Sequence, residues 1–382
     1  MKVLQTIPTM LAAWGGPSTC TCDLLDGLHD MKAQVDLLSS SGAVPDELIL
    51  GKDKPWMKLL PFDWKTPLAL SDNFRHYLEQ NPYDVYHINT IWLYPSHITC
   101  KIARGNNRPY VLSPHGMLYP TALKVSAWKK WFIKRLWVDN DIHKATCIHA
   151  TCEQEMKHIR QYGYHGAIAV IPNPVVFPKN VSLRISIPSE KKIGYLGRLH
   201  PIKKVENLLE AVAKVVKSGK KDFRLEIMGK GAPEYESFLL QETARLGIRD
   251  FVDFIGFVSG KEKYKRLSGL RALFVPSDQE NFGMIVPEAL ICGTPVYASL
   301  GTPWSELNDL QCGWWKDNNP ETIAEVIKEV LDTSDSDLLA MGQRGRTMIE
   351  NKYEQHKVAQ MMMDLYDWVA RKKNKPDFVY EE

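Results

Sequence analysis

Short apolar runs alternate along the chain with segments of helical period. In the first half, Val3–Pro8, Val35–Leu38, Val85–Asn89, Pro109–Ser113 and Ala167–Ile171 predict buried strands. The turn-rich stretch AAWGGPST follows the first of them and leads into a helix over about Thr19–Met31. Helical patterns separate most of the other runs. Strands alternating with helices predict a parallel sheet covered on both faces.

The alternation stops between Ile171 and Glu190, where four prolines and no helical period predict an interdomain linker. It then restarts. Ile193–Leu196, Arg224–Met228, Val252–Phe257, Ala272–Pro276 and Pro295–Ala298 predict strands. Helices are expected near Val205–Val216, Glu234–Leu246, Glu262–Leu270, Val286–Ile291, Pro320–Leu331 and Leu338–Glu350. A last amphipathic helix, about Glu354–Lys372, follows. The expected organisation is an α/β domain over 1–175, a second over 190–352, and a tail over 353–382 packing back on the first. Ligands of doubly wound units sit beyond the carboxyl ends of the strands, so a cleft between the two is the natural site.

Composition narrows this picture. At roughly 100–200 residues per domain, 382 residues agree with two domains. Lys and Arg total 48 against 45 Asp and Glu, a net +3, too balanced for a protein that coats nucleic acid. The seven cysteines are scattered without paired zinc spacing and read as reduced, mostly buried thiols. No signal peptide or membrane-spanning run is evident, so the chain is expected to be cytoplasmic.

Five motifs could carry chemistry. Gly15-Gly16-Pro17-Ser18 opens the first helix, where amides could approach an anion, though a plain tight turn would look the same. Gly197-Arg198-Leu199-His200-Pro201-Ile202-Lys203-Lys204 follows the second domain's first strand. There Arg198 and Lys203 could clamp a diphosphate. Ser277–Glu288 places Glu280 in a loop and Glu288 early in a helix, around the turn Asn281-Phe282-Gly283. Two carboxylates suit sugar and ribose hydroxyls, and simple dipole complementation is the plainer account of Glu288. Ser113-Pro114-His115-Gly116 offers His115 to the same end of the first domain. Lys124–Trp137 carries five cations, no acid and three of the eleven tryptophans. Val125, Trp128, Phe132 and Leu136 share one helical face. Two accounts stay open, an interfacial helix on an anionic membrane or an ordinary helix with that face in the core, and a third, nucleic-acid binding, has little support from the overall charge. Asp139-Asn140-Asp141 reads as a helix terminus or solvated turn rather than a metal clamp.

In this order the strings resemble the family-4 retaining glycosyltransferases of GT-B fold (glycosyltransferase group 1), bacterial surface-polysaccharide type. GRLHPIKKVENLLEA, IMGKG, VDFIGFV, ALFVPSDQENFGMIVPEALICGTPV and GTPWSELNDLQCGWW match the donor-binding half. SPHGMLYPTALKVSAWKKWF, IHATCEQE and VIPNPV match the acceptor half. Glu280 and Glu288 match the family's Glu-x7-Glu motif. The resemblance implies two Rossmann-like domains facing a deep cleft. It implies a nucleotide-sugar donor, UDP ahead of GDP, and a saccharide acceptor, lipid-linked, in capsule, O-antigen (lipopolysaccharide) or exopolysaccharide synthesis. It implies retention of configuration, no metal or other cofactor, and work in the cytoplasm at the inner face of the plasma membrane.

Residue by residue, Arg198 and Lys203 would bind the diphosphate, Glu288 the ribose and Glu280 the transferred sugar. Asn281, Phe282, Gly283 and Met284 would line the donor, and Gly15 and Gly16 would approach its phosphates. His115 would lie near the reacting end of the sugar and Asn173 near the cleft. Three departures from the family pattern stand out: Pro174 after Asn173, Lys204 where Gly is common, and the tail NKYEQHKVAQ without the usual Trp. The competing functions are a GT-B nucleotide-sugar epimerase and a non-catalytic nucleotide-sugar-binding protein.

Overall fold

The computed structural model describes residues 1–11, 16–41, 49–61, 63–179 and 181–382. They form two compact units, Met1–Val176 with Tyr353–Glu382, and Phe177–Lys352.

The first unit is an eight-stranded sheet. Its strands are β1 (Val3–Thr9), β2 (Val35–Ser40), β3 (Met57–Leu60), β4 (Val85–Asn89), β5 (Tyr110–Ser113), β6 (Cys147–Ala150) and β7 (Ile168–Val170). The eighth strand forms at the far end of the chain and is numbered last. Every pair among the first seven is parallel, with β1 at the centre between β2 and β4. The central strands are buried on both faces, which explains their continuous apolar runs. Two hydrophobic cores flank the sheet. One gathers Leu4, Tyr86, Ile88, Leu112 and Ile148 with the helix Tyr94–Gly105. The other gathers Val3, Val85 and Val111 with Leu25 of the helix Gly16–Asp30 and Val358, Met362 and Tyr366 of the helix Gln355–Val369.

The second unit is a six-stranded, wholly parallel sheet. Its strands are β8 (Lys192–Leu196), β9 (Arg224–Met228), β10 (Val252–Gly256), β11 (Ala272–Val275), β12 (Val296–Ser299) and β13 (Gly313–Lys316), in the order β10-β9-β8-β11-β12-β13. Its core is built around Ile193, Leu225, Phe274 and Tyr297 under the helices Val205–Lys217 and Pro320–Asp332. The last strand of the chain, β14 (Val379–Tyr380), pairs antiparallel with β7 and belongs to the first sheet.

Strands β3, β6, β13 and β14 are additions to the sequence-based expectation. Three have four residues and one has two. The proline-rich segment is no free linker, because residues 177–189 belong to the second unit. Arg184 is buried there, donating from its backbone to the Cys292 carbonyl and from its guanidinium to that of Leu270. All seven cysteines are free, five of them buried. Asp139-Asn140-Asp141 opens a short helix, and both of its acids are paired. Asp141 is buried and paired with Arg104 at 2.8 Å and His97 at 2.8 Å, and Asp139 accepts from Lys134 and Tyr162. Among the described residues, no helix is long and apolar enough to cross a membrane.

Residues 124–137 bear on the core reading of that stretch. They form the helix Ala127–Ile133 and a π-helical turn, Lys134–Val138. Ile133 and Trp137 are the residues that reach the core, and Trp137 stacks on His97 at 5.0 Å. Val125, Trp128, Phe132 and Leu136 are 57–75% exposed, and Trp131 joins them at 60%. The apolar face expected to have a core alternative therefore faces solvent.

Candidate functional site

In the second unit the site is assembled from loops at the carboxyl ends of β8, β9 and β11. The loops after β8 and β9 zip together: Gly197 N–H donates to Met228 O at 3.0 Å and Leu199 N–H to Lys230 O at 2.9 Å. This approach admits only glycine. A Cβ on Gly229 would lie 1.8 Å from Gly197 O, and one on Gly231 2.0 Å from Leu199 O. Gly229-Lys230-Gly231 is thus explained by backbone packing against the Arg198 loop. The loop after β11 is tied down similarly, with Asp278 N–H on Ile202 O and Glu280 N–H on Gly301 O.

These ties bring Lys203 and Glu280 together. Lys203 Nζ lies 2.5 Å from Glu280 Oε1, which also accepts from Ser277 Oγ at 2.9 Å. Their side chains are 18% and 12% exposed. Arg198, on the same loop, is exposed, and its guanidinium has no hydrogen bond or ion pair among the described residues. Burial and the charges of Arg198 and Lys203 lower the pKa of His200, which reports the positive potential here. Lys204 has φ +52°, a left-handed conformation that explains why glycine is common there. Its side chain reaches Asp278 at 3.4 Å and Glu206 at 3.7 Å.

Glu288 is the fourth residue of the helix Ile285–Ile291 and is paired with Lys263 Nζ at 2.7 Å. Dipole complementation alone therefore does not account for it. Asn281, Phe282 and Gly283 form the turn between the two glutamates. Gly283 has φ +77°, and the Trp304 indole donates to Phe282 O at 2.5 Å while packing edge-on against the Phe282 ring. Met284 is half-buried at the start of the helix. Lys263, Ser277 and Trp304 were not singled out from sequence. Lys263 sits in GKEKYKRL, where nothing separates it from a solvated lysine.

In the first unit, Gly15 lies outside the described residues. Gly16 opens the helix Gly16–Asp30 with open space where a Cβ would point. His115 follows β5 with φ +51°, and Gly116 has φ +75°. The His115 ring is hydrogen-bonded through Nε2 to Asn89 Oδ1 at 2.9 Å, and burial lowers its pKa to about 3. It is neutral at physiological pH. Asn173 is 9% exposed beyond the end of β7. No hydrogen bond among the described residues joins Gly16 or Asn173 to His115. Asn89, at the end of a buried strand, is a partner that sequence reasoning missed.

Comparison with known proteins agrees with this geometry. Residues 15–174 match the Glycosyl transferase 4-like domain, and residues 184–348 match Glycosyl transferases group 1. An uncharacterized glycosyltransferase of Methanocaldococcus jannaschii is 32% identical over 144 residues, 37% of this chain and 36% of that protein. A GDP-mannose-dependent phosphatidylinositol dimannoside mannosyltransferase of Mycobacterium tuberculosis is 28% identical over 145 residues, 38% of this chain and 36% of that protein. The chain thus spans about a third of the length of these curated relatives where it matches them. In fold, it resembles Anabaena HepE, solved with UDP-glucose (TM-score 0.76, 18% identity, 96% of this chain and 100% of that one). It also resembles sucrose-phosphate synthase from Thermosynechococcus elongatus (TM-score 0.78, 18% identity, 98% and 100%). The chain thus carries a glycosyl transferase 4-like domain followed by a glycosyl transferases group 1 domain, each on a parallel Rossmann-like sheet, in a fold of GT-B type.

Proposed function

We propose that the protein is a retaining, metal-independent glycosyltransferase. It moves a sugar from a nucleotide-diphosphate sugar to a saccharide acceptor, lipid-linked, in capsule, O-antigen or exopolysaccharide synthesis. The observation that carries the reading is the uncommitted Arg198 beside the Lys203–Glu280 pair, at the carboxyl ends of β8 and β11. The diphosphate would take Arg198 as a bidentate fork and Lys203 as a point charge. Lys203 and Glu280 already touch, so Glu280 would turn to the sugar hydroxyls as Lys203 turns to the phosphate. Glu288, steadied by Lys263, would accept from the ribose hydroxyls.

The leaving diphosphate develops charge where these cations and amides are fixed in advance. The acceptor hydroxyl would attack from the face the phosphate leaves, and a departing phosphate oxygen would take its proton. UDP is favoured over GDP by the UDP-glucose complex of HepE, although the mannosyltransferase relative is GDP-mannose-dependent. The reading includes a cytoplasmic location at the inner face of the plasma membrane. What supports it is the exposed face of Val125, Trp128, Trp131, Phe132 and Leu136, with Lys129 and Arg135 alongside. A second copy of the chain is a poor occupant there, because a two-fold contact would set cations against cations.

The test is incubation with UDP- and GDP-sugars and lipid-linked saccharides, with released nucleotide and product anomeric configuration measured. Nucleotide release with a retained configuration is expected. An altered sugar still attached to its nucleotide would show an epimerase instead, and binding without release would show a sensor.

A further inference from the structure

His115 does not stand alone with Asn89. Gln5 on β1, His87 and Asn89 on β4, Ser113 on β5 and His149 on β6 point to the face of the first sheet covered by the helix Gln355–Val369. That helix adds Tyr366, and all six are at most 5% exposed. Starting from the Ile171 carbonyl, seven hydrogen bonds link them to His115. His149 Nε2 meets Ile171 O at 2.8 Å and His149 Nδ1 meets Ser113 Oγ at 2.7 Å. Ser113 Oγ meets His87 Nε2 at 2.6 Å, and His87 Nδ1 meets the Tyr366 hydroxyl at 2.7 Å. Gln5 Nε2 meets that hydroxyl at 2.8 Å, Asn89 Nδ2 meets Gln5 Oε1 at 3.1 Å, and His115 Nε2 meets Asn89 Oδ1 at 2.9 Å.

A carbonyl can only accept, so it sets the direction of the whole chain. His149 must carry its proton on Nε2, which leaves Nδ1 to accept from Ser113. The Ser113 oxygen then accepts from His87 Nε2–H, and His87 Nδ1 accepts from Tyr366. The Tyr366 oxygen accepts from Gln5, Gln5 from Asn89, and Asn89 from His115. Each of the seven bonds then has one donor and one acceptor, in this one sense only. Burial keeps the rings neutral, with His149 lowered to about 4, His115 to about 3 and His87 well below its ordinary value. The backbone beneath His115 is held independently. Glu155 accepts from Gly116 N–H at 2.5 Å through one oxygen and from Thr151 N–H and Oγ1 at 2.8 Å through the other.

We propose that Tyr366, acting through Gln5 and Asn89, is a positioning residue that locks His115 as the Nε2–H tautomer. His115 then presents Nδ1 as a hydrogen-bond acceptor to a hydroxyl of the bound sugar. It is neither a general acid nor a cation for the leaving phosphate. The identity of the ligand as a sugar rests on the glycosyl-transfer reading; the tautomer does not.

The experiment is long-range proton–nitrogen correlation on 15N-histidine-labelled protein at neutral pH, assigned by loss of signal in single His→Gln variants. His87, His115 and His149 are expected as neutral Nε2–H rings. In Tyr366→Phe the chain is cut in the middle. His149, still tied to Ile171, keeps its tautomer. The Gln5 and Asn89 amides become free to flip, so His115 populates both tautomers. Turnover in that variant should fall about tenfold, the order expected for one lost buried hydrogen bond, with donor KM changing less. Leu365→Ala loosens the same helix without touching the chain. It should lower thermal stability yet leave the His115 tautomer and turnover as in the wild type. A wild-type His115 that is protonated or Nδ1–H overturns the proposal, and so does a Tyr366→Phe variant with an unchanged His115 ring and turnover. Tautomers as stated in a protein that transfers no sugar would support the relay and refute the transferase reading.

Discussion

Lys203→Met removes one charge and keeps the length of the side chain, so it separates two roles that the structure superimposes. In the protein as described, Lys203 Nζ is 2.5 Å from Glu280, and each side chain is less than a fifth exposed. Exposed ion pairs contribute about 0–1 kcal/mol, and breaking a fully buried one costs about 3–5 kcal/mol. Glu280 keeps its hydrogen bond from Ser277, so a cost near the middle, about 2 kcal/mol, is expected. For a domain of this size that lowers Tm by roughly 4–8 °C, well short of unfolding at assay temperature. The catalytic cost is larger. A unit charge about 4 Å from the leaving phosphate, at an effective dielectric of about 20, gives about 4 kcal/mol. Removing one fixed donor to a developing anion costs roughly 10²–10³ in rate. The expected result is a fall in kcat/KM of about 10²–10³ with a modest loss of Tm, read by nucleotide release and by thermal unfolding. Transfer within about threefold of wild type, alongside that loss of Tm, would refute the diphosphate clamp and leave Lys203 as a structural counter-ion to Glu280.

Three further outcomes follow from the geometry. Gly229→Ala would place a Cβ 1.8 Å from Gly197 O, so the second unit should lose about 3 kcal/mol or more in denaturant unfolding, and wild-type stability would show that the loops part easily. His149, whose pKa falls from 6.5 to about 4 on folding, is neutral when folded and protonated when unfolded between those values. Its contribution is therefore complete above pH 6.5 and is lost as pH falls toward 4, amounting to about 2 kcal/mol at pH 5. Denaturation at pH 7 and pH 5 should show that dependence reduced in His149→Gln; identical slopes would refute it. Replacing Trp128 and Trp131 together by Ser should abolish sedimentation with anionic vesicles while leaving nucleotide-sugar binding intact, and a wild-type protein that ignores such vesicles would remove the membrane reading.

Besides β7 and the edge strand β10, the strands legible in sequence were those of the sheet interiors, β1, β2, β4 and β5 in the first unit and β8, β9, β11 and β12 in the second. Their buried faces demand uninterrupted apolar residues. Strand β3 was illegible because all four of its residues are partly exposed, and β14 because two residues carry no period. The Lys124–Trp137 stretch shows a different limit. Periodicity put Val125, Trp128, Phe132 and Leu136 on one helical face; Val125 in fact precedes the helix, yet all four are exposed, and periodicity carries no sign that says which way a face points. Ile133 and Trp137, four residues apart, take the core-facing side instead.

The Arg198–Lys203 and Glu280–Glu288 motifs were legible because they gather residue types that are rare at the ends of strands: a glycine, two spaced cations, two spaced carboxylates. What sequence could not supply is which charges are already spent. Lys203 and Arg198 look equivalent as letters, yet one is committed to Glu280 and the other is not. Glu288 looks like a dipole complement until Lys263, 25 positions away, is found against it. The first unit was harder still. Gln5, His87, Ser113, His149 and Tyr366 are single polar residues inside apolar segments, contributed by four strands and a helix 361 positions from the first of them. Each alone reads as a satisfied core polar group. Only the strand order, which sets β1, β4, β5 and β6 side by side, turns them into one directed chain with a carbonyl at its end. The chemistry assigned to His115 therefore depends on Gln5, Asn89 and Tyr366, which lie outside the motif around it, and a substitution as distant in sequence as Tyr366→Phe is a sharper probe of it than any change within Ser-Pro-His-Gly.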